Sequence, residues 1–214
     1  MNYIKNERGN SAFYILWLFG ISAVIFVIVV NIAKVYVVKQ QADTATQQAA
    51  FAGTVVLLEA KAKDIGNFDD DPVKSLDQKL SDLKTIEEQV KEKADGLIDE
   101  GEDVQLAYIQ AYNIVLPEKM EKYPLFKKEM EDTFKNAELS GKLLSAVQTT
   151  ITENDANAES VEVVLSETKW RVEVKADATY STITDGTYLK SFTSYIQQKG
   201  AGPPLKYLEN ISFN

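Results

Sequence analysis

An apolar stretch near the start of the chain constrains the fold more than any other feature. From Gly9 to Ala33 the sequence runs for 25 residues without a charge, between Arg8 and Lys34. As an α-helix this stretch reaches about 37 Å, enough to cross a hydrocarbon core of about 30 Å. A helix is expected because a lone segment in lipid must satisfy its backbone polar groups internally. We therefore predict a transmembrane helix over residues 11–33.

Two alternatives explain this apolar stretch less well. A core helix of a soluble protein is usually shorter and apolar on one side only. A cleaved secretory signal has an apolar region of about 7–15 residues and then a small-x-small cleavage site. The nearest such pattern, Ala50-Phe51-Ala52, lies far beyond the stretch. We predict an uncleaved, single-pass anchor in the cell membrane, with the N-terminus cytoplasmic and the bulk of the chain extracytoplasmic.

Composition excludes several kinds of chemistry. The 214 residues include no cysteine and no histidine, so disulfides, thiol catalysis, Ser-His-Asp catalysis and imidazole or thiolate metal sites are impossible. An extracytoplasmic protein without disulfides suits a bacterium. The first 33 residues carry a net charge of +1, which leaves −10 on the rest of the chain. Because phosphate contacts need Lys and Arg, we predict no nucleic-acid partner. No sequence motif indicates catalytic residues, a cofactor or a metal, and we predict none.

Small and apolar residues continue at regular spacing beyond the apolar stretch. The intervals alternate between 3 and 4, which places these side chains on one helix face. The same register runs back through Ile28 and Val24 to Ile21, with Asn31 as its one polar member. Alanines dominate the outer half and let a partner helix approach closely. This seam either packs on the chain's own ectodomain or docks other subunits, and its outer members are Val35, Val38, Ala42, Ala45, Ala49, Ala52 and Val56.

An acidic segment from Gly66 to Pro72 predicts a break after the stalk. Clustered carboxylates are ligands that calcium prefers, but the EF-hand spacing and its terminal glutamate are missing here. Asp71 instead suits an N-cap, with Pro72 at the first helical position. We predict a capping loop, with a metal site as the alternative.

The remaining chain divides into a helical and a β-rich part. Spacings of 3 and 4 predict helices over 72–99, 104–116 and 124–152, with Pro117 as a break. Alternation after residue 160 predicts a hairpin over 160–180, a turn at Asp185-Gly186, a bend at 200–204 and a last strand near 207–213. The fold class is α+β. Its parts are a cytoplasmic tail (1–10), a transmembrane helix (11–33), a stalk helix (34–65), a helical region (72–152) and a β-rich region (160–214).

The residues around the apolar stretch form a recognisable pattern. An Arg-Gly pair precedes the stretch, and a Gln- and Ala-rich segment with one tyrosine follows it: Arg8, Gly9, Tyr36, Gln40, Gln41, Ala42, Asp43, Ala45, Ala49, Ala50, Ala52 and Gly53. This pattern resembles the Flp (Tad) pilus-assembly family of TadE- and TadG-like proteins. TadE-like members carry a glutamate five residues after the processing glycine, where this chain has Tyr14. The resemblance therefore implies a TadG-like, permanently anchored protein, with Gly9 as the candidate processing site of the TadE-like alternative.

The resemblance also implies a function. It indicates a pilin-like or assembly component of a Tad-type pilus or related secretion apparatus at the cell surface. Its partners would be the lipid bilayer and other pilus or secretion subunits, including further copies of itself. Two other classes stay open: a single-span sensor or ligand-binding ectodomain and, ranked last, a cell-wall enzyme that uses paired carboxylates.

Overall fold

One helix of 63 residues, α1 (Arg8–Asp70), contains both the apolar stretch and the alanine-rich segment after it. It belongs to a computed structural model that describes residues 8–132, 137–184 and 190–211. The apolar stretch continues into the stalk without a turn, as predicted. The segment after Gly66 is helical as far as Asp70, although the sequence predicts a break there. The longer helix buries Phe68, whose ring lies 5.1 Å from that of Phe126.

The helical region follows α1 in the chain. The helices that the structure describes there are α2 (Leu76–Asp82), α3 (Ile86–Asp99), α4 (Val104–Lys122), α5 (Pro124–Asp132) and α6 (Ala137–Glu153). The helix predicted over 72–99 is interrupted at Leu83, which adopts a φ of 59° and closes α2. Thr85 then begins α3 through a capping box with Glu88, in which each side chain accepts from the other residue's amide.

Pro117 lies inside α4, so the break predicted there is wrong. Proline has no amide hydrogen and usually disrupts a helix interior. Here Leu116 and Met120, on either side of it, are fully buried, and their packing holds α4 in a helical path to Lys122. Phe134, which the sequence places on the apolar face of the next helix, lies outside the described residues.

The acidic segment caps helices and turns. The carboxylate of Asp69 accepts from the amides of Ile86 and Glu87, the first residues of α3, at 3.2 and 2.9 Å. Burial raises the pKa of Asp69 against the lowering effect of these amides. The Asp71 carboxylate accepts from the amides of Val73 and Lys74 in the turn that follows it, at 2.9 and 3.1 Å. These contacts lower the pKa of Asp71. It therefore caps this turn, and α2 begins only at Leu76.

Three antiparallel strands form one sheet in the order β1 (Asn157–Ser166), β2 (Arg171–Ser181) and β3 (Thr193–Ala201). The predicted hairpin is the β1–β2 pair. β3 is missing from the sequence prediction, and the strand predicted near 207–213 is a 3₁₀ helix (Lys206–Asn210) in the described residues. Tyr207 and Leu208 are adjacent and both buried, which a strand with alternating faces does not allow. The turn predicted at Asp185-Gly186 lies outside the described residues.

The inner face of the sheet packs on α1, and β2 runs antiparallel to it. Val172 of β2 lies beside Gly53, and Tyr180, at the other end of the strand, lies beside Asn31. Of the residues that the alternation from Trp170 to Tyr180 places on the inner face, Trp170 lies just before β2 and is half-buried, and the others are buried: Val172, Val174, Ala176, Ala178 and Tyr180. The sheet therefore packs on the segment of α1 from Asn31 to Gly53, which follows the apolar stretch. α3 and α5 contact the C-terminal end of α1.

Asp82 links α2 to the end of α4. Its carboxylate accepts from Lys119 at 2.9 Å, and from Lys122 and the Tyr123 hydroxyl at 2.8 Å. Asp82 and Lys119 are nearly inaccessible, with 9% and 7% of their side chains exposed. Burial by itself would raise the pKa of Asp82, but these donors and Gln89 together hold that pKa well below its usual range.

Replacing Asp82 by Asn should therefore destabilise the helical region. The substitution leaves the buried Lys119 ammonium group with only the exposed Glu118 carboxylate, 3.4 Å away, as an acidic partner among the described residues. We expect the free energy of unfolding to fall by about 3 kcal/mol in urea melts. Because the folded-state pKa is depressed, the stabilisation is present above the ordinary aspartate pKa of about 3.9 and is lost as the pH falls toward the folded value. Asp82→Asn should thus also reduce the loss of stability on acidification.

The matched control is Glu92→Gln, which removes an exposed pair with Lys84. Exposed pairs contribute little, and we expect a change below about 0.5 kcal/mol. Equal effects of the two substitutions would contradict the role given to Asp82.

Candidate membrane anchor and stalk interface

The N-terminal half of α1 has no cover from the rest of the chain. By length and composition it is the one helix in the described residues that could span a membrane, and none of its most apolar window is buried. Aromatic side chains in it are largely exposed, such as Phe13 at 77%, Trp17 at 66% and Phe26 at 68%. Apolar surface on all sides of a helix requires an apolar environment, because its exposure to water is unfavourable.

The structure places the outer seam against the chain's own sheet. Val38, Ala42, Ala45 and Ala49 are buried, and Ala42 and Val38 pack with Ala178 and Tyr180 of β2. Farther along, Ala52 and Val56 are half-buried. Val35 is 37% exposed. These alanines therefore do what the stalk interpretation expects, and docking of other subunits through the seam stays a prediction.

Glycines in the sheet let its backbone approach α1 closely. A Cβ on Gly200 would lie 2.1 Å from the carbonyl carbon and oxygen of Thr46. A Cβ on Gly202 would lie 2.3 Å from the Thr54 hydroxyl and 2.8 Å from the Ala50 carbonyl. With only alanine and threonine on the helix side, backbone and backbone are almost in contact. The tight fit joins the sheet to the stalk and makes them one body.

On the helix side, Gly53 has the corresponding role. A Cβ there would come within 3.2 to 3.4 Å of three side chains, from Val172 of β2 and from Leu143 and Val147 of α6. Gly53 therefore lies where α1, α6 and the sheet meet.

Asn31 ties α1 to the end of β2. Its side-chain oxygen accepts from the Ile183 amide at 2.8 Å and from the Tyr180 hydroxyl at 3.3 Å. Its side-chain nitrogen donates back to the Ile183 carbonyl at 3.2 Å. One turn farther on, the Lys34 ammonium group donates to the Ser181 carbonyl at 2.7 Å. The polar groups at the boundary of the apolar stretch thus find partners in the sheet.

The inner seam lies on the uncovered half of α1. Ile21, Val24 and Ile28 are 36%, 61% and 54% exposed. Gly20 leaves a shallow groove beside Trp17, Ile21 and Val24, and a Cβ on Gly20 would meet nothing within 4 Å. This is the part of the seam that remains available to another helix.

The candidate processing site lies at the start of α1. Gly9 is in the first turn of α1 that the structure describes. Tyr14, at the position of the TadE-like glutamate, is 64% exposed.

An open polar cleft between α1, α5 and α6 brings several carboxylates together, as a glycosidase-like enzyme would require. Within the described residues no group of three or more acidic side chains is arranged to hold a metal. Lysine neighbours lower the pKa of Glu138. Carboxylates of the cleft form ion pairs within 2.8 Å, namely Asp64 with Lys61, Glu129 with Lys74 and Glu138 with Lys142. Each of these three acids therefore has a lysine partner, and only the Asp64–Lys61 pair is buried.

Lys61 is the most deeply buried of these cations. Its ammonium group donates to Asp64 at 2.8 Å and to the Met130 carbonyl at 2.6 Å, so it joins α1 to α5. Burial lowers the pKa of Lys61, and the Asp64 carboxylate opposes that shift.

Comparison with known proteins adds no relatives: no protein-family model matches the chain, and neither a curated protein nor a solved structure matches it significantly.

Substituting Gly200 by Ala should loosen the sheet from the stalk. The new methyl group would overlap the α1 backbone at Thr46, which cannot move without bending the helix. We expect the free energy of unfolding to fall by about 3 kcal/mol, at the upper end of overpacking effects. Urea or thermal unfolding in detergent, followed by circular dichroism, measures the change.

Gly141→Ala is the control, since Gly141 lies inside α6 and a Cβ added there would meet nothing within 4 Å outside its own helical turn. Alanine favours the helix there, so we expect a gain of about 0.5–1 kcal/mol. A Gly200→Ala protein as stable as wild type would show that the backbones are not in close contact.

Proposed function

We propose that this protein is a membrane-anchored, pilin-like or assembly component of a Tad-type pilus or related secretion apparatus. Its function is mechanical: α1 anchors it in the bilayer, the inner seam docks neighbouring subunits, and the ectodomain is displayed outside the cell. The observation that carries the proposal is the division of α1 into a half packed on the sheet and an apolar half without cover.

The continuity of α1 supports this mechanism. No turn separates the uncovered half from the half that holds the sheet, so a force or a contact on one reaches the other through a single helix. A flexible linker would separate the ectodomain from its anchor mechanically. A subunit that must fix its ectodomain relative to its neighbours benefits from the rigid connection.

The shape of the inner seam supports helix docking. In lipid there is little hydrophobic drive between helices, so association depends on close packing at small residues. Gly20 provides such a position beside Ile21 and Val24. The outer alanines are occupied by the sheet, so docking is assigned to Ile21, Val24 and Ile28 with the Gly20 groove.

Crosslinking through introduced cysteines tests the docking. The natural chain has no cysteine, so each variant carries a single thiol. We expect Val24→Cys to form a disulfide-linked dimer in native membranes after mild oxidation, because the seams of two copies face each other. Non-reducing electrophoresis measures the dimer fraction.

Phe26→Cys is the control, since Phe26 is equally exposed but lies about 200° around the helix from Val24. It should give much less dimer. Equal crosslinking at both positions, or none at either, would contradict packing between copies through the seam.

The state of the anchor is tested by intact mass and N-terminal sequencing of the membrane-extracted protein. A permanently anchored TadG-like protein should retain Gly9 and the residues before it. A chain that begins at Asn10 would instead show cleavage after Gly9 and a processed subunit able to leave the bilayer.

A further inference from the structure

The end of the β2–β3 hairpin lies at an unusual level along α1. The residues from Ser11 to Val30 already span about 30 Å as a helix, which fills the hydrocarbon core of a bilayer. Asn31 follows directly, and its side chain is hydrogen-bonded to Ile183 just beyond β2. If α1 crosses the membrane as proposed, this part of the sheet is therefore at the bilayer surface.

Phe192, at the start of the returning chain, lies at the same level. Thr182 donates its amide to the Phe192 carbonyl at 2.9 Å, and the Phe192 amide donates to the Thr182 hydroxyl at 2.8 Å. The Lys34 contact to Ser181 places this pair next to the α1 turn that leaves the apolar stretch. The described residues on both sides of the connection, Ser181 to Ile183 and Phe192, thus lie at the level of Asn31 to Lys34.

Large apolar side chains are exposed at this level. Ile183 is 47% exposed, Phe192 is 61% exposed, and Tyr36, on another side of α1, is 72% exposed. Single exposed apolar residues are ordinary on protein surfaces. Ile183 and Phe192 lie next to a segment with the properties of a membrane span, and Tyr36 follows about 7.5 Å farther along α1 than Asn31. Tyrosine is one of the residues enriched at the membrane–water interface.

We propose that Ile183 and Phe192 form a juxtamembrane patch that inserts into the headgroup layer of the outer leaflet, and that Tyr36 contacts the same layer from another side of α1. This inference rests on the proposed membrane anchor and adds a second contact with the lipid. Two contacts, α1 and the sheet end, restrict both tilt and rotation of the ectodomain relative to the bilayer. Asn31 is the link between them, because it holds the end of β2 against the helix.

Spin labels on single cysteines measure the depth of these residues. The full chain is reconstituted in phosphatidylcholine vesicles with a label at Phe192→Cys, Ile183→Cys, Val24→Cys or Val164→Cys. Collisions with oxygen, which concentrates in lipid, and with a water-soluble nickel complex are then compared. We expect the Phe192 and Ile183 labels to show a several-fold higher oxygen-to-nickel ratio than the Val164 label.

Val164 is the matched control because it is 45% exposed and lies on the sheet far from the patch. Val164 pairs with Glu173, the neighbour of Val172 in β2. Val172 lies beside Gly53, which is about 33 Å along α1 from Asn31. The Val24 label reports on the anchor itself. A high oxygen-to-nickel ratio at Val24, together with ratios at Phe192 and Ile183 as low as that at Val164, would overturn the patch. A low ratio at Val24 would overturn the anchor.

Discussion

The close contact between the sheet and the alanine half of α1 is the interaction on which the rest of the structure depends. Gly200 and Gly202 bring the sheet backbone against Thr46 and Ala50, where any larger side chain would collide. Small residues bury little area individually, so the contact relies on its length and its fit. It extends from Asn31 to Gly53, along the whole of β2.

This contact also determines what is left uncovered. The sheet ends at the level of Asn31, and no described element reaches the helix surface before it. The exposed part of α1 is apolar on every side, as in a helix that could span a membrane. The proposed anchor, docking surface and juxtamembrane patch all rest on this one division of α1.

The far end of α1 depends on electrostatics more than on small-residue packing. Asp69, Lys61 and Asp82 are poorly accessible polar groups, and each is held by several hydrogen bonds. Buried charges are costly when unpaired, so these groups contribute mainly by requiring one arrangement of the helices.

Much of the architecture is readable from local pattern. The uncharged stretch predicts the first half of the long helix by its length alone. The periodicity of 3 and 4 and the alternation in β2 predict the helical region and the first hairpin, because each of these two patterns reflects one buried face. β3 has no such pattern: its inner face consists of Ser194, Ile196, Gln198 and Gly200, and only one of these is a large apolar residue. Its position depends on pairing with β2 and on closeness to α1.

The sequence by itself determined that α1 has an apolar half and an alanine seam, since both follow from residue type and helical spacing. It left open whether the seam faces the chain's own ectodomain or another subunit. A helix face of small residues indicates only that another element packs closely against it, and does not identify that element. The tertiary structure decided that the outer seam, at Ala42, Ala45 and Ala49, is occupied by the sheet. It also placed Pro117 within a helix and Ile183 beside Asn31, since both depend on packing between segments distant in the chain.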